Sequence, residues 1–567
     1  MSKKLINNPK NVVREMLEGV VDGSDELALL EHDNVVLQAG LPAPDERPVA
    51  IISGGGSGHE PAHAGYVGKG MLTGAVAGDV FTSPSTDAVL HAIRACAGPA
   101  GAVLVVKNYT GDRLNFGLAA ELVQTEGIPV EIVVVADDVS LHQTVSEDRR
   151  RGIAGTVLIH KIAGAAAAAG KSLAEIADIA RNAARDLGSM GVALGACTLP
   201  GANKPGFTLK DDEIELGLGI HGEKGVERRK ISTADELAEI ILKTIIDDRK
   251  IGKGDKVALL VNGLGGTSSM ELAIMTRHAI AYLRAQSIDV ARVWPGTLLS
   301  AIDMPGCSLS LLKLDDTRTH LLDATTTARA WPGSGTIAAK RQEIKDPAGS
   351  SDDITYPERG PLADKIEGIG QAVAKKLKAE EPHLTDLDTK AGDGDLGASL
   401  ERGADAILAL PHKAWATPAT ALIATGNALR KAIAGSSGPF YANALIRAGR
   451  HLQDAASPSP SPAQWAEAFE IAANAIAELG GAKQGDRTML DALLPAAKAF
   501  RDAVAKDKTG KDAWQAACDA ARNGADKTAE MTPELGRASY LGDPAVGVPD
   551  GGAVAVAIWM QEIADSL

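Results

Sequence analysis

The 567-residue chain has a formal charge of −15, 45% hydrophobic residues and 23% charged residues. This length exceeds what one hydrophobic core supports, and the composition is typical of folded protein rather than disordered chain. Nucleic acid and anionic membrane are disfavoured as partners, because both repel an acidic surface.

The four cysteines, Cys96, Cys197, Cys307 and Cys518, lie far apart, which excludes a zinc ribbon and argues against a disulfide framework. The N-terminal segment lacks the apolar stretch of a secretory signal. The most apolar run, residues 153–169, contains His160 and Lys161 and is shorter than the roughly 20 residues that span a bilayer. We therefore expect a cytoplasmic protein.

Residues 1–340 have the pattern of an α/β fold. Short runs rich in β-branched residues recur at 49–52, 102–106, 130–135 and 257–261, each followed by a glycine-rich or polar turn. Continuous apolar runs of this length are typical of strands buried on both faces, with helices as the crossovers between them.

The first of these runs leads into SGGGSGHEP, residues 53–61. Consecutive glycines let the backbone turn tightly and present its amides to a ligand. The dinucleotide fingerprint GxGxxG is not met, because His59 stands where it needs glycine, and the phosphate loop GxxxxGK[ST] is absent. Taken alone, the segment is better explained as a tight strand–helix connection.

The second run is followed by Lys107 and, five residues later, by Asp112. Ligands of open α/β sheets bind at the carboxyl ends of the strands, so both side chains are placed to reach a ligand. Asp112 is a candidate general base, and Lys107 a candidate cation for an oxyanion or hydroxyl. The alternative is a surface ion pair between Asp112 and Arg113.

A third candidate is His221, within the glycine-rich sequence GLGIHGEKG at 217–225. Flanking glycines leave the imidazole accessible, although most isolated histidines are structural or solvated. The turn at 262–269 also offers backbone amides but is only suggestive.

Together, the sequences SGGGSGHEPAH, GDVFTSPS, KNYTGDRLNFGLA, RGIAGT and GLGIHGE resemble the substrate-binding K domain of the dihydroxyacetone kinases, over roughly residues 49–314. The resemblance implies two α/β subdomains and a ring nitrogen of His221 that adds to the substrate ketone as a covalent hemiaminal. It implies that His59 and Asp112 handle protons of the substrate hydroxyls. The substrate-binding positions that it implies are Gly56, Ser57, Gly58, His59, Lys107 and Asp112.

A carbonyl trap of this kind is chemically coherent. Dihydroxyacetone and glycerol differ little in shape, so hydrogen bonds alone discriminate poorly between them. A nucleophile that bonds only to a carbonyl carbon rejects the alcohol. Phe81, Ile153 and Met304 are candidates for the wall that limits the length of the ketose.

The composition and the spacing of apolar residues change after residue 340. Residues 341–360 contain two prolines and few apolar residues and are predicted to be a linker. Residues 361–567 are rich in Ala and Leu with helical spacing at 404–410, 419–434, 463–479 and 513–525, which predicts an all-helical domain. The proline-rich segment 455–462 is predicted to connect two helices.

Three carboxylates, Asp388, Asp393 and Asp395, lie within eight residues in the sequence DTKAGDGD. Hard oxygen ligands in this number favour Mg²⁺, and the EF-hand pattern is not met. The alternative is a solvated acidic helix start capped by an aspartate. Polar glycine loops at 434–438 and 479–489 offer helix-end amides to phosphate, and Arg537 offers a guanidinium.

The sequences DGDLGAS, GSSGP, GGAKQGDRTMLDAL and GRASYLGD resemble the nucleotide-binding L domain of the same family, over roughly residues 362–563. The resemblance implies an antiparallel eight-helix barrel and two Mg²⁺ ions, held by Asp388, Asp393 and Asp395, that bridge the phosphates of ATP. The implied nucleotide contacts are Leu396, Gly397, Ala398, Ser399, Ser436, Ser437, Gly481, Met489, Arg537, Asp550, Gly551 and Gly552.

This sequence departs from that family's pattern at two positions. Many members have histidine where Leu396 stands, and many have proline where Gly551 stands. The first departure puts a side-chain role at 396 in doubt, and the second bears on contacts to the adenosine end of the nucleotide.

Fusion of both domains in one chain, without a phosphotransferase relay domain, indicates ATP as the donor. A homodimer is expected, in which the linker allows domains to be exchanged between chains. Three alternatives to a dihydroxyacetone kinase remain. They are a kinase for a longer ketose such as D- or L-erythrulose, a lyase that forms cyclic FMN from FAD at the same metal site, and a non-enzymatic ketose-sensing coactivator.

Overall fold

The computed structural model describes residues 3–345, 356–455, 459–533, 535 and 546–567. The chain divides into two compact units, Met1–Ile344 and Lys345–Leu567. The predicted linker at 341–360 and the proline-rich connection at 455–462 fall in part on residues 346–355 and 456–458, which lie outside the described residues.

The first unit contains two six-stranded sheets. The strands of the first sheet, in the order β1-β2-β4-β3-β5-β6, are β1 (Leu27–Leu29), β2 (Val35–Gln38), β3 (Ala50–Ser57), β4 (Gly74–Val80), β5 (Ala102–Lys107) and β6 (Val130–Val135). The pairs β3–β4, β3–β5 and β5–β6 are parallel. Strands β3 and β5 are buried along their whole length, as predicted. Strand β6 lies at the edge, and Val134 is 40% exposed, so burial on both faces is wrong for this strand.

The second sheet has the order β11-β10-β12-β7-β8-β9. Its strands are β7 (Leu187–Ala193), β8 (Glu213–Leu216), β9 (Glu227–Lys230), β10 (Lys256–Gly263), β11 (Asp289–Gly296) and β12 (Gly306–Lys313). Within the described chain, only the β10–β11 pair of this sheet is parallel. Helical crossovers therefore account for less of this sheet than the apolar runs indicate, because antiparallel neighbours need no crossover helix.

The helices of this unit are α1 (Val12–Asp22), α2 (Thr86–Cys96), α3 (Thr110–Gln124), α4 (Thr156–Ala168), α5 (Leu173–Arg185), α6 (Ala234–Arg249), α7 (Ser269–Ala285) and α8 (Asp316–Asp323). Helices α5, α6 and α7 each begin with a capping box, in which a Ser or Thr and a Glu satisfy each other's backbone amides. The apolar helix α4 is buried along nearly its whole length, including His160 and Lys161. In the described part of the chain, no helix is long and apolar enough to cross a membrane.

The second unit is all-helical, as predicted. Its helices are α9 (Ala363–Ala379), α10 (Glu381–Ala391), α11 (Leu396–Leu408), α12 (Pro418–Ala432), α13 (Ser437–Asp454), α14 (Pro462–Gly480), α15 (Leu490–Val504), α16 (Gly510–Lys527) and α17 (Gly551–Ser566). Successive helices pack on one another, and α17 packs on α9, which closes the ring. Small residues let the helices approach closely: a Cβ on Gly449 of α13 would lie 2.9 Å from the Ala419 carbonyl oxygen of α12.

Candidate active site

Two histidines that are distant in sequence meet in the first unit. His59 lies two residues after the end of β3, and His221 lies in the connection between β8 and β9. Their Nε2 atoms are 3.0 Å apart. His59 is fully buried, whereas the side chain of His221 is 21% exposed, so the pair lies at a surface that a ligand can reach.

Each of these rings is held through its other nitrogen. Nδ1 of His59 is 2.9 Å from the carbonyl oxygen of Ser300, and Nδ1 of His221 is 2.8 Å from a carboxylate oxygen of Glu223. Both oxygens accept, so each Nδ1 donates, and each Nε2 is the ring atom left for chemistry. Burial opposes the charge of Glu223, but the hydrogen bond from His221 and the charge of that ring together lower the pKa of Glu223 to about 2. The carboxylate is therefore ionised at neutral pH.

Aromatic rings surround the histidine pair. Phe81 stacks on His59 with ring centroids 5.1 Å apart and meets His221 edge-on at 5.1 Å, and Tyr109 meets His221 edge-on at 4.8 Å. Phe81 also packs in a small apolar cluster that contains Met304, whereas Ile153 lies in the large core of the unit. Of the three candidates for the pocket wall, the structure thus groups Phe81 and Met304 and separates Ile153 from them.

Lys107 and Asp112 are buried beside this pair. Nζ of Lys107 and Oδ1 of Asp112 have no hydrogen-bond partner within the described residues. Both face Gly55: a Cβ built there would lie 2.9 Å from Nζ of Lys107 and 3.5 Å from Oδ2 of Asp112. Burial lowers the pKa of Lys107, and the nearby charge of Asp112 partly offsets this. Buried polar atoms without partners cost free energy, so they indicate a polar ligand that completes the site.

Tyr109 connects the two clusters, because Nζ of Lys107 lies 5.8 Å from the centre of the ring that contacts His221. The alternative of a surface pair between Asp112 and Arg113 is not found in the structure. Asp112 is only 3% exposed, and Arg113 donates instead to Oδ1 of Asn108 at 3.4 Å.

The predicted substrate contacts Gly56, Ser57 and Gly58 run from the end of β3 into the turn that presents His59. Oγ of Ser57 donates to the carbonyl oxygen of Gly78 at 2.7 Å, so its proton is already engaged. The amide of Gly58 donates to the carboxylate of Glu60 at 3.0 Å. Gly56 has no room for a side chain, because a Cβ would lie 2.6 Å from the amide nitrogen of Thr82. These three residues shape the turn, and their contacts with substrate stay a prediction.

In the second unit, Asp388 lies on the last turn of α10, Asp393 in the following turn and Asp395 at the N-cap of α11. One carboxylate oxygen of each residue lies within 4.8 Å of the others. Oδ2 of Asp388 also accepts from the Leu396 amide at 3.1 Å, which ties the start of α11 to this cluster. Three hard oxygen donors at this spacing fit Mg²⁺, which keeps some waters and takes further ligands from phosphate.

A second group of possible metal ligands, Asp364, Glu367 and His412, has a simpler explanation. The guanidinium of Arg359 donates to both carboxylates, and Nδ1 of His412 lies 2.7 Å from Glu367. The group is an ion-pair network around an arginine, so we do not assign a cation to it.

Several predicted nucleotide positions converge on the aspartate cluster. Asp550 caps α17, accepting from the Ala553 amide at 2.8 Å, and burial together with the charges of Asp491 and Asp388 raises its pKa to about 6 despite opposing contributions from Ala553 and Arg487. Met489 packs beside Gly552. The other positions lie at helix ends: Ala398 and Ser399 in the first turn of α11, Ser436 and Ser437 at the start of α13, and Gly481 directly after α14.

Two predicted nucleotide positions, Gly397 and Arg537, are not described by their place at a helix end. A Cβ on Gly397 would collide with Oγ1 of Thr385 on α10, so this glycine is needed for close packing of α10 and α11. Arg537 lies outside the described residues.

The two departures from the family pattern, Leu396 and Gly551, contact each other. A Cβ at 551 would lie 2.8 Å from Cδ2 of Leu396. A bulky apolar side chain at 396 therefore accompanies a residue without a side chain at 551.

We expect Gly551→Pro to destabilise the second unit by about 1–3 kcal/mol, because the ring collides with Leu396. The backbone itself accepts proline, since 551 is the first residue of α17 and Asp550 has an extended conformation. The double variant Gly551→Pro, Leu396→Ala should recover most of this loss relative to Leu396→Ala alone. Thermal unfolding of the four proteins measures the coupling, and additive effects would contradict the contact.

Family models match both units of the chain. The family model described as "Dak1 domain" matches residues 18–330, and the one described as "DAK2 domain" matches residues 390–565. The chain belongs to the dihydroxyacetone kinase family. A "Putative 3,4-dihydroxy-2-butanone kinase" of Solanum lycopersicum is 41% identical, covering 99% of this chain and 98% of the relative. A "Triokinase/FMN cyclase" of Homo sapiens is also 41% identical, covering 100% of this chain and 99% of the relative.

A solved structure of this family matches over the whole length of both chains. The dihydroxyacetone kinase of C. freundii in complex with AMP-PNP and Mg²⁺ superposes with a TM-score of 0.67 at 35% identity and covers 100% of each chain. The fold class of both halves is thereby confirmed. The names of the relatives differ in the substrate that they give.

Sequence reasoning missed the two groups that hold the histidines. Ser300 acts through a backbone carbonyl, which leaves no signal in a sequence. Glu223 does leave one, because it stands two residues after His221, where a short turn returns its carboxylate to the ring. Tyr109 was visible within the motif KNYTGD but was assigned no role.

Proposed function

We propose that this chain transfers the γ-phosphoryl group of ATP to a hydroxyl of a short-chain hydroxyketone, with dihydroxyacetone as the leading substrate. One observation carries the proposal. An imidazole nitrogen of His221, fixed through its opposite nitrogen, is presented beside a second histidine and near buried Lys107 and Asp112. Nζ of Lys107 and Oδ1 of Asp112 have no hydrogen-bond partner in the described part of the chain. These groups match a carbonyl flanked by hydroxyls.

His221 acts on the carbonyl. Its Nε2 adds to the ketone carbon and forms a hemiaminal, and an alcohol carbon offers no such acceptor. The bond selects ketones over polyols and holds the remaining hydroxyl at a fixed distance from the donor, so less entropy is lost at the transition state. Phe81 and Tyr109 restrict the ring of His221 on two sides, which limits the orientations that it samples.

Asp112 and Lys107 act on the hydroxyls. The carboxylate of Asp112 takes the proton of the hydroxyl that is phosphorylated, and the ammonium of Lys107 holds that oxygen in place. Both groups lie around the backbone of Gly55, where a side chain would fill the space between them. This space is where we place the substrate hydroxyl.

Asp388, Asp393 and Asp395 would hold Mg²⁺, which neutralises charge on the phosphates when bound. The first turns of α11 and α17 begin beside these carboxylates and offer backbone amides to phosphate oxygens. Transfer requires the sites of both units to come together, within one chain or between two. The predicted second ion, the domain-exchanged homodimer and the cytoplasmic location stay predictions.

A substrate panel tests the proposal: dihydroxyacetone, D-erythrulose, L-erythrulose, glyceraldehyde and glycerol, each with Mg-ATP, compared by kcat/KM. We expect dihydroxyacetone to be best and glycerol to be about 10³-fold or more worse, because glycerol cannot form the covalent bond. Glycerol turned over as fast as dihydroxyacetone would refute the carbonyl trap. A preference for either erythrulose would show that the substrate is a four-carbon ketose and would still be consistent with covalent trapping of the carbonyl.

A lyase acting on FAD is a second candidate, because a full-length relative is named triokinase/FMN cyclase. It would use the aspartate cluster without the histidine pair. Release of cyclic FMN from FAD, measured with the wild-type protein and with His221→Asn, separates the two activities. The coactivator alternative is disfavoured, because a protein that only senses a ketose needs no metal cluster.

A further inference from the structure

The contact between the two histidines indicates how many protons the two rings hold together. Nδ1 of His59 faces a carbonyl oxygen and Nδ1 of His221 faces an ionised carboxylate, so both Nδ1 atoms carry hydrogen. If both rings were neutral, the two Nε2 atoms would meet as lone pairs. Their separation of 3.0 Å is that of a hydrogen bond, which requires a hydrogen between them.

We propose that Glu223 is a positioning residue that directs Nε2 of His221 to the ketone and that stabilises one additional proton on the His59–His221 pair before substrate binds. This inference rests on the proposed function and deepens it. The carboxylate does two things at once. It fixes the tautomer through Nδ1, and its negative charge balances the positive charge of the protonated pair.

The surroundings disfavour a positive charge on the ring of His59. Burial lowers the pKa of His59 well below its usual range, and the positive charges of Lys107 and His221 lower it further, against a hydrogen bond with the Ser300 carbonyl. No such burial is imposed on His221, whose ring is partly exposed and lies against the carboxylate. The other ionisable groups around the pair include Glu60, His63, Asp112, Tyr109 and Arg151.

Glu223 is itself held in place. Its carboxylate accepts from the His221 amide at 2.9 Å as well as from the ring, which fixes its orientation. Arg151 lies nearby, because a Cβ built on Gly219 would collide with the Glu223 carboxylate and would lie 2.6 Å from Nη1 of Arg151. Arg151 in turn pairs with Asp138 at 2.7 Å and donates to the carbonyl of Gly217 at 2.7 Å.

With the shared proton in place, the addition of His221 to the ketone balances in atoms and in charge. The shared proton moves to Nε2 of His59, and the lone pair of His221 Nε2 forms the bond to the ketone carbon. The electron pair of the broken C=O π bond moves to oxygen, which takes the proton from His59. His221 ends as a substituted imidazolium whose Nδ1–H stays on Glu223, and His59 ends neutral. One positive charge is present before and after the step, so no proton need be exchanged with solvent.

The test uses the full-length protein labelled with ¹⁵N-histidine and free of ligand, with signals assigned from His59→Asn and His221→Asn. We expect the wild type to show protonated Nδ1 on both rings and a proton shared by the two Nε2 atoms. Glu223→Gln should lose the shared proton and change the His221 nitrogen shifts, and Glu223→Asp should restore them in part. Glu227→Gln is the matched control, since Glu227 is exposed on β9, and should leave the spectrum unchanged.

Kinetics supply the second readout. Glu223→Gln should lower kcat/KM for the ketone about 10–100-fold, by analogy with the loss found when the partner that orients a metal-binding histidine is removed. Two neutral rings in the wild type, or unchanged His221 shifts in Glu223→Gln, would overturn the inference. The NMR spectra require no turnover. Failure of the substrate panel would therefore refute the proposed function but would not change the measured protonation of the two histidines.

Discussion

His221→Asn should lower kcat/KM for dihydroxyacetone by about 10²–10⁴-fold. Asparagine has a similar size and can still hydrogen-bond to Glu223, but its amide nitrogen is not a nucleophile. The substrate then binds through hydrogen bonds alone, and its reacting hydroxyl is no longer tethered. Selectivity for dihydroxyacetone over glycerol should therefore fall towards unity, and this ratio measures the loss of the trap itself.

The measurement is steady-state kcat/KM for both substrates at saturating Mg-ATP. His91→Asn is a suitable control, because His91 is half exposed on α2 and pairs with Asp33. Wild-type selectivity in His221→Asn would show that discrimination comes from the pocket shape rather than from a covalent bond. A thermal unfolding curve like that of the wild type would show that the variant is folded.

Asp393→Ala should weaken Mg-ATP binding at least about 10–100-fold, because one of three carboxylates at the predicted metal site is removed. Nucleotide phosphates are then held by helix-end amides alone, without the cation that neutralises them. The loss should be specific to the metal-dependent part of the affinity. Chelation of Mg²⁺ should bring the wild type to the level of the variant.

Isothermal calorimetry with the ATP analogue AMP-PNP measures this affinity without turnover. Asp386→Ala is the matched control: Asp386 lies on α10, two residues before Asp388, but its 57% exposed carboxylate pairs with Lys390. Undiminished Mg-nucleotide affinity in Asp393→Ala would remove this residue from the metal site. Equal losses in both variants would indicate damage to α10 instead.

Features that depend only on residues close together in the sequence could be predicted from the sequence. Asp388, Asp393 and Asp395 lie within one turn and its flanks, so spacing alone predicted that they would cluster. The helices at 418–432 and 462–480 also followed from local periodicity, and their ends agree with the predicted runs to within two residues.

Features that depend on distant parts of the chain were not predictable in this way. The carbonyl of Ser300 reaches His59 across 241 residues and is independent of the side chain at that position. The exposure of Val134 depends on the place of β6 at the edge of its sheet, which an apolar run does not reveal. Likewise, only the folded structure shows that Leu396 and Gly551 are neighbours.

The pairing of His59 with His221 is intermediate between these cases. Position at the end of a buried strand identified the neighbourhood of His59, and flanking glycines made His221 a candidate. Neither pattern showed that the rings meet through Nε2, because that depends on how the turn after β8 is placed against the end of β3. The family resemblance implies the roles of the two rings. Their hydrogen-bond partners in the structure indicate which nitrogen of each ring carries hydrogen.

The bond between His221 and the ketone carbon is the central claim, and isotope-edited NMR tests it directly. Dihydroxyacetone labelled with ¹³C at the carbonyl is added to protein labelled with ¹⁵N-histidine. The account predicts a tetrahedral carbon signal with a one-bond coupling to a ring nitrogen, absent in His221→Asn. A bound substrate that keeps its ketone signal, or shows a tetrahedral carbon without coupling to nitrogen, would contradict it.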